Sequence, residues 1–111
     1  MANTWITDIT HFLDGRGHIG NMPPAARKLA DFFGAIVASI TPEPWGTPAD
    51  THLHCRRRPQ RRPCAGTIAA WVDPDNLQIE WECSNCGDNG VIHHWQATPW
   101  DCSHVRSATV H

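Results

Sequence analysis

The chain has 111 residues and a mass near 12.4 kDa, with nine Lys and Arg against eleven Asp and Glu and a formal net charge of −2. That balance excludes a histone-like polycation, and a hydrophobic content of 41% excludes a disordered tail. No apolar run approaches the ~20 residues of a membrane span, and Met1 to Trp5 opens no basic-then-apolar leader, so a cytoplasmic protein with no membrane partner is expected.

Trp5, Ile6, Ile9, Phe12 and Leu13 fit one face of a short helix, which Asp14-Gly15-Arg16-Gly17 would stop. Residues 22–40 predict a stronger helix. Asn21 reads as its N-cap and Pro23-Pro24 suit its first turn. Leu29, Phe32, Phe33, Ile36, Val37 and Ile40 recur at steps of three and four and form a wide apolar stripe. The polar face carries only Arg27, Lys28 and Asp31, too sparse for a membrane-surface helix, so the stripe is read as core. Residues 41–50 hold three prolines and a glycine and read as a linker or extended arm.

Residues 67–96 predict three strands. Ile68, Ala70 and Val72 alternate with Thr67, Ala69 and Trp71, and Asp73-Pro74-Asp75-Asn76 is a turn. Leu77, Ile79 and Trp81 alternate with Gln78, Glu80 and Glu82, and Val91 to Gln96 supplies the third strand. The apolar face of Ile68, Val72, Leu77, Ile79 and Trp81 is expected to pack on the 22–40 helix. The fold class expected is α+β, with N-terminal helices packed on a small three-stranded antiparallel sheet. Residues 1–50 and 51–111 would be two segments sharing one core.

The five cysteines are Cys55, Cys64, Cys83, Cys86 and Cys102. An odd count without a secretion signal argues against a disulfide framework. Cys83-Ser84-Asn85-Cys86-Gly87 has the spacing of a zinc knuckle, in which a tight turn aims two thiolates at one ion and Gly takes the positive φ. A redox dithiol would open a helix, but Gly87-Asp88-Asn89-Gly90 is turn material.

The order of cysteine pair, hairpin, cysteine pair and strand over residues 55–101 resembles the zinc-ribbon class. The strings from Cys55-Arg-Arg-Arg-Pro to Cys64-Ala-Gly, Trp81-Glu-Cys-Ser-Asn-Cys-Gly-Asp-Asn-Gly-Val-Ile and Trp95-Gln-Ala-Thr-Pro-Trp-Asp are also similar to a group of small bacterial zinc-ribbon-like proteins. That group shares a Trp-Ile-Thr-Asp and a Phe-Leu-Asp near the N-terminus, and the likeness implies no activity. The zinc-ribbon resemblance implies a three-stranded ribbon and a Zn2+ ion on Cys55, Cys64, Cys83 and Cys86. Eight residues part Cys55 from Cys64, where ribbons have two to four, so His52 and His54 stay open as substitute ligands. His93 or His94, Cys102 and His104 also lie near in sequence. Zinc would supply folding free energy that a segment of roughly 50 residues cannot obtain from its own core.

Between the first two cysteines lie Arg56, Arg57, Arg58, Arg61 and Arg62, five of the eight arginines in the chain. Guanidinium forks presented together suit the phosphates of nucleic acid. The same cations would also offset the −2 of a zinc tetrathiolate or pair with the acidic strand. Trp71, on the strand face opposite Ile68 and Val72, is a candidate stacking platform for an unpaired base. No H-E-x-x-H, H-x-E with P-C-x-x-C, or G-x-S-x-G is present, so an enzyme is not expected. The leading reading is a structural-zinc module contacting nucleic acid. A protein-interaction adaptor is the alternative, and a small zinc or redox enzyme the third. Oligomeric state is left open.

Overall fold

Alternating apolar residues build most of this molecule. The computed structural model describes residues 4–57 and 61–104. In chain order the elements are β1 (Thr4–Asp8), a 3-10 turn (Ile9–Phe12), α1 (Pro24–Ile40), β2 (Ala49–His54), β3 (Thr67–Val72), β4 (Ile79–Cys83) and β5 (Asn89–His93). The strands form one five-stranded sheet in the order β1-β5-β4-β3-β2. β1 runs parallel to β5, and every other neighbouring pair is antiparallel.

This corrects the expected fold class. The antiparallel meander of β3, β4 and β5 exists, but it is the centre of a mixed sheet rather than a three-stranded ribbon. There is one α-helix among the described residues, not a set of N-terminal helices. Residues 4–8 are a strand, not a helix. Their apolar spacing suits a helical face, but Thr4, Trp5, Ile6 and Thr7 are β-branched or aromatic, and β5 offers them an unpaired edge. The 41–50 arm ends two residues early, because Ala49 and Asp50 pair with Ala70 and Ala69 in the sheet. β4 starts at Ile79, and Leu77 is 39% exposed with φ +60°, outside the apolar face assigned to it.

The helix stripe behaves as its period predicts. Phe33, Ile36, Val37 and Ile40 are buried in one cluster with Ile68, Ala70, Val72, Ile79, Trp81 and Ile92, and Leu29 and Phe32 pack at its margin. Asn21 is not the cap. Pro23 precedes the first turn with no side-chain cap bond, and proline there has no N–H that needs one. Register sorts the two faces of the sheet. Ile68, Ala70 and Val72 point to α1, while Trp71 and Ala69 stand opposite Glu80 and Glu82 on the far face. No helix among the described residues is long and apolar enough to cross a membrane.

Candidate metal centre

Four strand ends bring the cysteines together. Cys83 is the last residue of β4, and Cys86 follows in the turn to β5. Cys55 comes directly after β2 and Cys64 shortly before β3. Since Ile68 pairs with Cys83, the two segments meet at one end of the sheet. The four Sγ atoms of Cys55, Cys64, Cys83 and Cys86 lie within 4.8 Å of one another. Cys55 and Cys86 are 3.7 Å apart, and Cys64 and Cys83 are 3.6 Å apart. A tetrahedral ion with Zn–S bonds of about 2.3 Å has sulfur–sulfur edges of about 3.8 Å. Each short edge joins one sulfur from each segment, so an ion here ties β2 and β3 to β4 and β5.

Each sulfur accepts a backbone N–H from the residue two places on: Arg57 to Cys55 at 3.5 Å, Gly66 to Cys64 and Asn85 to Cys83 at 3.4 Å, and Asp88 to Cys86. The Asn85 side-chain amide adds a donor to Cys64 at 3.6 Å. Dipoles aimed in this way favour thiolate over thiol.

The long first spacer leaves this geometry intact for a visible reason. The Cys83 N–H donates to the carbonyl of Asp88, two past Cys86, at 2.7 Å. The Cys55 N–H donates to the carbonyl of Gly66, two past Cys64, at 3.0 Å. Both halves therefore close alike. In the first, a Cys64 N–H to Arg57 carbonyl bond of 2.9 Å pinches the chain across the longer spacer.

Two glycines are required. Gly87 has φ +78° in the turn after Cys86, as its place in the knuckle predicts. A Cβ on Gly66 would lie 2.4 Å from the Cys83 sulfur and 2.8 Å from the Asn85 Cβ. Electrostatics divides the thiols. Burial pushes Cys55 and Cys86 up, while the Gly66 N–H, helped by Asn85, holds Cys64 down at about 6. Four sulfurs this close need a cation among them before all can be charged.

Among the described residues, no histidine joins the cluster. His52 sits at an irregularity of β2 with φ +62°, and it and His54 are exposed. His93 ends β5, about 13 Å along the strand from Asn89. His94 lies beyond it, and His104 is exposed. Cys102 is half-buried beside α1's C-terminus, its N–H bonded to the Thr41 hydroxyl at 2.9 Å.

The arginines divide. Arg57 reaches Asp88 at 3.5 Å, and Asp88 is 2% exposed. The Trp5 indole meets the same Asp88 oxygen at 3.3 Å, so the carboxylate also ties β1 to the centre. Arg56 lies over the Phe32 ring, 5.9 Å from its centroid. Arg61 and Arg62 are exposed, and Arg58 lies outside the described residues. Trp71 is half-buried and donates to Glu80 at 3.1 Å, on a face it shares with Glu82. Its partner is an acid of the next strand, not an arginine.

Sequence reasoning passed over Gly66, Asn85 and Asp88. Their common signal is position, since each stands two residues after a cysteine. Comparison with protein families, curated proteins and solved structures returned no match, so nothing from them supports the zinc-ribbon likeness.

Proposed function

We propose that the chain is a non-enzymatic binding module built around a structural zinc ion on Cys55, Cys64, Cys83 and Cys86. The observation that carries this reading is the sulfur tetrad, with its 3.6 and 3.7 Å edges and an N–H directed at every sulfur. An all-thiolate set suits zinc among divalent ions, and a closed set of four leaves no position for substrate. Zinc would hold the strand ends together and be a source of folding free energy. Elemental analysis with thiol alkylation tests it. One zinc per chain, with four thiols shielded until a chelator is added, is expected. A chain that holds no stoichiometric metal, or that cycles a Cys83–Cys86 disulfide, overturns it.

The partner reading is nucleic-acid phosphate. It falls on the loop of Arg56, Arg57, Arg58, Arg61 and Arg62, in which Arg56 also meets Phe32 and Arg57 also meets Asp88. The exposure of Arg61 and Arg62 beside the tetrad supports it. Fluorescence anisotropy of the zinc-loaded chain with labelled oligonucleotides should give a log–log salt slope of about −3 to −5 when all five arginines reach phosphate. No binding at low salt would move the loop to a protein partner, the adaptor reading.

A further inference from the structure

The parallel pair of strands ends in a cavity that the metal centre does not use. It holds about 630 Å³, and Trp5, Phe12, Leu29 and Phe33 form its apolar wall. That volume lies within the ~300–1,000 Å³ of small-molecule sites. The rings of Trp5 and Phe33 are 6.3 Å apart, and those of Phe12 and Phe33 are 6.4 Å apart. Asp8, His11, His93 and His94 supply the titratable groups of the lining.

Asp8 is fixed on both oxygens. Oδ1 accepts the Thr10 N–H at 3.0 Å and the Thr10 hydroxyl at 2.5 Å. Oδ2 stands 3.0 Å from His94 Nδ1 and 4.0 Å from His11 Nε2. In the neutral ring, a carboxylate at that distance favours the Nδ1–H tautomer, in which Nε2 is the acceptor. His94 sits at φ +61°, a left-handed conformation that a non-glycine residue adopts at a cost. An aromatic wall beside an imidazole acceptor defines a ligand class. An anion would meet the Asp8 carboxylate, and a purely apolar ring would leave the acceptor to water.

We propose that this cavity binds a neutral phenol-like molecule, its ring against Trp5, Phe12 and Phe33 and its hydroxyl donating to His94 Nε2. The site shares no residue with the cysteine tetrad, so it stands or falls apart from the reading above. NMR titration of the metal-loaded chain tests it, with p-cresol and 4-methylanisole as probes and the Trp5 indole signal as readout. The anisole keeps the ring but cannot donate. Saturable p-cresol binding, about three- to tenfold tighter than the anisole, is expected for one hydrogen bond. His94→Gly, which tolerates the left-handed backbone and carries no acceptor, should erase that preference. Leu29→Trp should fill the cavity and abolish both. Absence of saturable p-cresol binding, or a preference that survives His94→Gly, overturns the proposal.

Discussion

Single atoms decide the geometry of the cysteine cluster. Gly66 has no room for a Cβ against the Cys83 sulfur, whereas its neighbour Ala65 is exposed. Gly66→Ala should therefore lower stability by about 1–3 kcal/mol through overpacking and release metal to a weaker chelator, while Ala65→Ser changes neither. A melt with chelator competition reads both effects. Asp8 allows a pH test. The Thr10 hydroxyl, aided by His94 against partial burial, lowers its carboxyl from 3.8 to about 2. A depressed folded-state value means that the stabilisation is present above the unfolded value and fades as pH falls from 3.8 toward 2. The melting-temperature gap between the parent chain and Asp8→Asn should narrow as pH falls below about 4. A gap independent of pH would show that the carboxylate's charge does not matter.

Among the elements, β1 and α1 depend on each other. β1 joins the sheet by parallel pairing, which needs a long crossover, and α1 lies within that connection. Phe33 is the joint. Its ring meets those of Trp5, Phe12, Phe32 and Trp81. Phe33→Ala should cost about 3–5 kcal/mol in urea unfolding of the metal-loaded chain. Ile6 is on the same strand as Trp5 but 77% exposed, so Ile6→Thr should change stability by no more than about 0.5 kcal/mol. Equal effects would mean that β1 is not held through Phe33.

Across the whole molecule, the cysteines come from the β2–β3 connection and the β4–β5 turn, and the core runs from α1 to β5. Metal removal should therefore melt the helix and the sheet together. Far-UV circular dichroism and tryptophan fluorescence should lose their native signals in one coincident transition as chelator is added. Protons compete with the metal for thiolates, so the chelator needed should fall as pH falls. Helix signal that persists after verified metal loss would show that α1 and the sheet stand without the centre.

Much of this architecture was legible in local pattern. The three- and four-residue steps from Leu29 to Ile40 mark the buried face of α1, and the period of two over residues 67–72 and 79–83 marks β3 and β4, with Leu77 falling outside it. Cys83-x-x-Cys86-Gly87 marks a knuckle because its whole geometry lies within five residues. Non-local contacts could not be read in this way. Thr4–Asp8 became a strand because β5, more than eighty residues later, had an edge to pair. The eight-residue spacer kept its sulfurs in place through the Arg57–Cys64 and Cys55–Gly66 hydrogen bonds, which no spacing rule contains. The arginine run reads as one feature in sequence, but tertiary packing sets Arg56 over Phe32 and Arg57 against the buried Asp88. Periodicity reports which side of an element is apolar, while the partner for that side, or for a buried charge, is chosen by tertiary proximity.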